Sequence, residues 1–242
     1  MINFADKNRE FISNVFSSVA EKYDIMNDLT SFGIHRLWKR KFIDIINIQN
    51  NAIFTDLSCG TGDIAKLLFS KHKNKIKSAN LIDPDIQMLN LSKKRLLNFG
   101  ISLGNINFIQ STAEEITISK NSQDFITISF GARNFSNIKL GFENCYKALK
   151  SGGYLYCMEF SPNLQNQTCD TVYKKYLNHI LPKIGKFIAK DEPSYRYLSN
   201  SIQEFLTPNQ MQNLLTSCGF SYTDAIPLAN GGVYIYIGRK EN

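Results

Sequence analysis

The chain has little of what marks a secreted, metal-stapled or membrane-spanning protein. Its five cysteines (Cys59, Cys145, Cys157, Cys169 and Cys218) are odd in number and lie at least twelve residues apart, so neither a CxxC redox pair nor a zinc knuckle can be drawn. The three histidines, His35, His72 and His179, are equally scattered. A reducing compartment and no structural metal follow as expectations. No window approaches the ~18 apolar residues of a membrane span. The opening segment MINFADKNREF has neither an apolar h-region nor the acid-free composition of a transit peptide, which points to a cytosol. Only 20% of the 242 residues are charged and 43% are apolar, which excludes disordered and fibrous classes. A chain this long folds as one domain or at most two and buries roughly 70% of its unfolded surface.

The 28 basic residues outnumber the 21 acidic ones, for a net charge of +7, which suggests an anionic partner. The distribution weakens that suggestion. Residues 1–50 carry seven Lys/Arg against six Asp/Glu, and the alternating Lys71, Lys73, Lys75 and Lys77 have no interleaved aromatic. That is the composition of a solvated loop, and no nucleic-acid partner is expected.

From Ala52 to Gly153 short apolar runs alternate with longer periodic stretches, the signature of βα units on a parallel sheet. Strands are expected at Ala52–Asp56, Ala79–Asp83, Ile106–Gln110, Phe125–Phe130 and Tyr154–Phe160, the last after a turn at Lys150–Gly153. Helices are expected at Asp63–Ser70, from Asp85 to near Gly100, and at Ile138–Leu149. Residues 163–200 read as helical and then irregular, and Asn209–Ser217 as helical again. Phe220–Ile226 and Val233–Gly238, joined by a Gly-Gly turn, suit an antiparallel edge on a mixed seven-stranded sheet. The first fifty residues read as helices outside the sheet.

The sharpest local feature is Asp56-Leu-Ser-Cys-Gly60-Thr-Gly62-Asp63, between the first strand and its helix. Gly60 and Gly62 permit positive φ and let a ligand approach the backbone where open α/β sheets bind ligands. Asp83 ends the next strand 23 residues after Gly60, the spacing of a carboxylate that receives two ribose hydroxyls. An adenosine-type cofactor is implied. Gly60-x-Gly62-x-x-Ala65 also satisfies the loose dinucleotide fingerprint. However, Asp56 and Asp63 flank the loop, and a carboxylate ~4–6 Å from a diphosphate costs a few kcal/mol at an effective dielectric of ~20. S-adenosylmethionine instead offers an ammonium and a sulfonium. Further on, Ser111-Thr112-Ala113-Glu114 follows the third strand where an adenine ring would sit, and Ile128-Ser129-Phe130 ends the fourth, beside the methionine portion.

Val15-Phe-Ser-Ser-Val-Ala-Glu-Lys-Tyr-Asp24-Ile-Met-Asn-Asp28, Gly33-Ile-His-Arg-Leu-Trp-Lys39, Ile128-Ser-Phe-Gly-Ala-Arg-Asn134 and Glu159-Phe-Ser161 join that glycine loop in a pattern that resembles the UbiE/MenG family. The resemblance continues through His179-Ile-Leu-Pro-Lys-Ile-Gly185, Ser194-Tyr-Arg-Tyr-Leu198, Ser201-Ile202 and Gly231-Gly-Val233, and so spans almost the whole chain. It implies a class I methyltransferase: a Rossmann-like three-layer α/β fold with a seven-stranded, mostly parallel sheet and an antiparallel last strand. It also implies an N-terminal helical lid (residues 1–50) on a methyltransferase domain (51–242) with a substrate or interface insertion at about 163–207. The activity implied is S-adenosylmethionine-dependent methylation of a ring carbon on a reduced polyprenyl quinone precursor. Thr61, Asp83, Thr112, Ala113 and Ser129 match the family's cofactor contacts, beside Asp56, Gly60 and Gly62. Cys59 stands where the family has a small residue, Thr112 where Asn or Asp is usual, and Ser151 where Pro is usual.

Methylating carbon requires a phenolate, so a quinol proton must leave and an oxyanion must be stabilised. Arg133 and Asn134, just beyond the fourth strand, suit the second task, and Tyr23 in the lid could orient the hydroxyl or relay the proton. Arg133 could instead pair with a lid carboxylate, Asp24 or Asp28. Tyr23 could simply pack, His35 suits packing better than general-base work, and Glu159 is a further candidate base. A polyprenyl tail keeps its substrate in a bilayer, which implies peripheral association with the inner face of a membrane. Two apolar segments, Leu37, Trp38 and Phe42 among Arg36, Lys39, Arg40 and Lys41, and Tyr173, Tyr176, Leu177, Ile180 and Leu181 ahead of Lys183 and Lys186, could touch headgroups. They could equally pack inside the fold or across a homodimer interface. The rival readings are a methyltransferase acting on RNA or another small molecule, and a catalytically silent scaffold of a quinone-synthesis assembly. Against the first stands the lack of a base-stacking motif such as Asn-Pro-Pro-Tyr.

Overall fold

The computed structural model describes residues 28, 31, 33–186 and 191–241. Helix α1 (His35–Ile45) precedes strands β1 (Ala52–Leu57), β2 (Ile76–Asp83), β3 (Ile106–Gln110), β4 (Gln123–Ser129) and β5 (Leu149–Phe160). Helices α2 (Asp63–His72), α3 (Ile86–Asn98) and α4 (Ile138–Ala148) connect these strands. After β5 come α5 (Gln167–Lys175), α6 (Leu181–Ile184), α7 (Glu192–Gln203) and α8 (Pro208–Ser217), then β6 (Tyr222–Leu228) and β7 (Val233–Arg239). The seven strands form one sheet in the order β3-β2-β1-β4-β5-β7-β6. Only β7 runs against its neighbours, so the expected mixed sheet with an antiparallel last strand is present. β7 lies between β5 and β6 and leaves β6 at the border.

Alternation along the strands builds the three layers. Phe125, Tyr156, Met158 and Ile235 face one side, where they meet Phe42 of α1, Leu68 of α2 and Leu89 of α3. Ile126, Ile128, Leu155, Cys157 and Tyr236 face the other, against Phe142 and Cys145 of α4 and Met211 and Leu215 of α8. The rings of Phe54 and Phe125 stack at 5.1 Å between β1 and β4, at the centre of the first layer. Helix starts follow the side chains available: Asp85 accepts from the Gln87 N–H at 2.7 Å and Asn137 from the Leu140 N–H at 3.0 Å, each satisfying a donor that the helix leaves over.

The structure departs from the sequence reading in two places. Lys150–Gly153, expected as a turn, is part of β5. The extra residues are absorbed by a register irregularity between Gln123 and Phe125 of β4, with Gly152 at φ +75°. The later part of 163–200, expected as irregular, runs into α7, which is capped by Asp191 accepting from the Ser194 N–H at 3.1 Å. Of the two alternatives left open for the apolar segments at 37–42 and 173–181, packing inside the fold accounts for most of their side chains. Phe42 is fully buried, Lys39 is buried, and Trp38 packs on Phe130 and Phe160, which leaves Leu37 exposed. Leu177 and Leu181 join Tyr195, Leu198 and Ile202 in a small core of their own, which leaves Val172 and Ile180 exposed.

Between α5 and α6 the chain widens into a π-helical turn at Tyr176–Ile180, ahead of Pro182, which has no N–H for the carbonyl four residues back. Part of the lysine run is used in packing: Lys71 pairs with Asp44, and the Lys75 ammonium donates to the Ile48 carbonyl. The small core depends on a close approach at Gly185, where a Cβ would lie 2.7 Å from Cβ of Tyr195 and 2.6 Å from its ring. Gly185→Ala is therefore expected to destabilise the protein by about 1–3 kcal/mol, read as a lower urea midpoint at unchanged cofactor affinity.

Candidate functional site

Strand order reverses between β1 and β4: the chain leaves β1 outward to β2 and β3, then crosses back to lay β4 on the other side of β1. The loops after those two strands therefore diverge and open a crevice at their C-terminal ends. A cleft of about 350 Å³ lies there, lined by Asp56, Gly60, Thr61 and Ser129 among the expected residues, together with Lys39, Ser58, Cys59, Asp63, Ile64 and Phe130.

Two buried carboxylates organise it. Asp56, 1% exposed, accepts from the Thr127 hydroxyl at 2.8 Å through Oδ1, while its Oδ2 has no partner. Burial pushes its carboxyl up from the ordinary 3.8 to about 7, only partly offset by the Thr127 hydroxyl and the Ala65 N–H. Asp83 accepts from the Gly60 N–H at 2.8 Å and the Asp85 N–H at 3.0 Å, so it ties the glycine loop to the end of β2. Burial also raises Asp83, to about 6, against the lowering effect of those two N–H bonds.

The backbone around them is bent into uncommon conformations. Gly60 and Gly62 have φ of +51° and +79°, and a Cβ on Gly62 would meet Ser92 Oγ at 2.4 Å. Ser58 (φ +54°) and Phe130 (φ +58°), on the two loops flanking the crevice, hold left-handed conformations without being glycine, at a cost of about 1–3 kcal/mol each. Gly131 lets those loops touch, since a Cβ there would stand 2.5 Å from Cβ of Ser58. Neither Ser58 nor Phe130 carries a sequence signal for this strain.

The remaining expected cofactor residues lie along the same edge. Thr61 and Ala113 are buried, and the Asn144 amide pins the loop after β3 by donating to the carbonyls of Ala113 at 3.2 Å and Glu114 at 2.9 Å. Thr112 Oγ1 and Ser129 Oγ are buried without a partner, as is Asp56 Oδ2. Orphaned buried polar atoms are rare in a finished fold. Of the eight such side-chain atoms among the described residues, three fall on residues singled out for one ligand and fit a polar molecule with a cationic end and an adenosine end.

Arg133 and Asn134 sit in a short helical turn three and four residues beyond the cleft-lining Phe130. Arg133 is not paired with Asp28, which instead bonds Arg36 and His35 and is held down at about 2 by those two hydrogen bonds. Its partner is Glu159: Arg133 Nη1 lies 2.8 Å from Oε1, and its backbone N–H donates to Oε2 at 3.2 Å. Glu159, fully buried, also accepts from the Phe160 N–H at 2.9 Å and stands as the arginine's counter-ion. The guanidinium lies over the Phe160 ring at 5.6 Å.

The Asn134 Oδ1 accepts from the Tyr197 hydroxyl at 2.9 Å. The Tyr-Arg-Tyr-Leu segment contributes to the resemblance, but nothing in it assigns Tyr197 a partner 63 residues away. His35 is buried against Asp28 and lowered by burial, partly offset by that carboxylate, which agrees with a packing and hydrogen-bonding role. Tyr23 and Asp24 lie outside the described residues.

Asp63 corrects one step of the sequence argument. Lys39 reaches its Oδ2 at 2.8 Å, Lys66 its Oδ1 at 3.6 Å, and Arg95 also pairs with it. Burial alone would raise this carboxyl, but Lys39 and Arg95 outweigh it and hold it well below the usual range. Asp63 thus adds no net negative field, and the case against a diphosphate rests on Asp56.

A model of the ubiE/COQ5 methyltransferase family matches residues 3–240. The chain belongs to that family. A ubiquinone/menaquinone biosynthesis C-methyltransferase UbiE of Klebsiella pneumoniae is 38% identical over 97% of this chain and 92% of its own length. One from Escherichia coli is 37% identical over the same shares. Among solved structures, a SAM-dependent methyltransferase of Thermotoga maritima superposes with a TM-score of 0.63 at 15% identity, over 94% of this chain and 99% of that one. One from Aquifex aeolicus gives 0.61 at 15% identity, over 92% and 97%. At such identity these structures speak to the fold, which is that of the class I methyltransferases. This ubiE/COQ5 family member is accordingly a methyltransferase with S-adenosylmethionine as its cofactor.

Two outcomes are expected. Because the folded-state values of Asp56 and Asp83 are raised, their contribution to stability is full below pH 3.8 and is lost as pH climbs through about 6 and 7. A cationic ligand favours ionised Asp56, so cofactor affinity should strengthen as pH rises through about 7 and weaken again once the ligand's α-ammonium, ordinarily at about 7.7–8.0, loses its proton. Asp56→Asn should weaken binding and flatten both profiles, checked by calorimetric titration and by melting across pH. Separately, Glu159→Ala leaves the arginine buried without its counter-ion and should cost about 3–5 kcal/mol in denaturant-induced unfolding.

Proposed function

We propose that this enzyme methylates a ring carbon of a reduced polyprenyl quinone precursor: 2-polyprenyl-6-methoxy-1,4-benzoquinol, demethylmenaquinol or both. The observation that carries the reading is the Arg133–Asn134 turn, set three residues past the cofactor cleft and held in place by Glu159 and Tyr197. S-adenosylmethionine supplies an electrophilic methyl group on its sulfonium.

On this reading Asp56 receives the cofactor's ammonium and Asp83 its ribose hydroxyls, with Gly60, Thr61 and Gly62 cradling it. Thr112, Ala113 and Ser129 meet the adenine and methionyl ends. Arg133 is charge-matched by Glu159, so it contributes directed N–H donors to the quinol oxyanion and no net field. Asn134 has its carbonyl oxygen occupied by Tyr197, which leaves its NH₂ as a donor for the same oxygen. Tyr23 is assigned from the sequence to orient the hydroxyl or relay its proton.

The tail of such a substrate stays in the bilayer at ~0.8 kcal/mol per buried CH₂, so the enzyme works at a membrane surface. No helix among the described residues is long and apolar enough to cross a membrane. Exposed Leu37 beside Arg36, Arg40 and Lys41, and Ile180 beside Lys183, support peripheral contact with the headgroups.

A labelled methyl-transfer assay offering both quinols in reduced form tests this. Label on a ring carbon of either is expected, and Asn134→Ala should lower kcat by about 100-fold while Asp83→Ala should chiefly raise the KM for the cofactor. Transfer to neither quinol by protein that binds S-adenosylmethionine would overturn the substrate assignment.

A further inference from the structure

The mechanism leaves one buried cation in the cleft without a task. Lys39 projects from α1, is 7% exposed, and is the only basic residue lining the cleft among the described residues. One of its three N–H donors goes to Asp63 at 2.8 Å. Asp63 does not depend on it alone, since Arg95 and Lys66 also converge on that carboxylate. Lys66 is turned away from the cleft, with its ammonium 4.6 Å from the centre of the Phe99 ring. Of the three cations on Asp63, Lys39 is the one that lines the cleft. Asp56 also lines the cleft, and its buried Oδ2 makes no well-formed hydrogen bond, with only the Ala65 N–H acting on this carboxyl from the backbone. The Lys39 charge is felt at Asp56, where it opposes the effect of burial. A cation with donors to spare and an unsatisfied carboxylate, sharing one small cleft, form a pair complementary to an α-amino acid zwitterion.

We propose that Lys39 receives the α-carboxylate of the cofactor's methionyl end while Asp56 receives its α-ammonium. The inference rests on S-adenosylmethionine as cofactor and is independent of the quinol assignment. Lys39 also ties α1 to α2 through Asp63, so the carboxylate contact links cofactor binding to the seating of α1.

Calorimetric binding of S-adenosylmethionine and of its decarboxylated form, which keeps the ammonium and sulfonium, tests it. A charge-assisted hydrogen bond predicts that the wild-type protein prefers the carboxylated ligand by about 10- to 100-fold. Lys39→Gln should abolish that preference by weakening the carboxylated ligand, with affinity for the doubly cationic decarboxylated form undiminished or increased because a like charge is removed, and Lys39→Arg should retain most of the preference. Equal loss on both ligands would overturn the proposal, because it would mean that Lys39 only holds the loop through Asp63. Equal wild-type affinity for the two ligands would overturn it without recourse to a variant. If the wild-type protein bound neither ligand, the cofactor assignment would fail along with it.

Discussion

Two carboxylates buried at the ends of neighbouring strands set the terms for the rest of the molecule. Removing a carboxylate from water is unfavourable, and neither Asp56 nor Asp83 has a cation paired to it to offset the cost. They are held by a hydroxyl and two backbone N–H groups, on loops that include two non-glycine residues in left-handed conformations. Such an arrangement persists only where the surroundings leave the chain no easier course. Here the two hydrophobic layers do so, fixing β1, β2 and β4 in register up to the residues that bend. The cleft is polar and strained because the sheet beneath it is apolar and fully paired.

A second polar arrangement lies beside the first and works differently. Arg133 and Glu159 are buried together, each supplying what the other lost on leaving water, so this part of the site is electrically neutral and stiff. It sits where the small core of α5, α6 and α7 approaches β5 through Phe160. Tyr197 completes the connection by fixing the amide of Asn134 from α7. Helix α7 is thus tied to the Arg133–Asn134 turn, and the Tyr197 hydroxyl occupies the oxygen end of that amide.

Much of this was legible in the sequence, and the exceptions share a cause. Strand positions, the glycine loop, Asp56 and Asp83 are encoded by patterns a few residues long, because period-2 alternation and the βα turn are local properties. Lys39 was read as one of several basic residues on an amphipathic segment. Its burial depends on Asp63, 24 residues away, and on α1 packing into the sheet. Glu159 is named in the sequence only as a possible base; the fold shows that the turn after the neighbouring strand brings an arginine to it. The strain at Ser58 and Phe130 has no residue-type signature at all, since it arises from two loops crossing at Gly131. What the sequence left open is what is decided between elements distant along the chain.

The position of β7 bears on how the sheet assembles. β6 touches the sheet only through β7, and the hairpin they form closes a loop of a few residues, whereas β5 and β7 are separated by the whole insertion and α8. Closing the shorter loop first is entropically cheaper. The favoured route therefore pairs β6 with β7 locally and docks the finished hairpin onto β5 as a unit. Until it docks, β5 is an open edge carrying Leu155, Cys157 and Met158, all fully buried in the native sheet, and is exposed to pairing with another unfinished chain. Aggregation during synthesis or refolding is set by how quickly the border hairpin arrives, and substitutions that loosen the Ala229–Gly231 turn slow its arrival without touching the cleft.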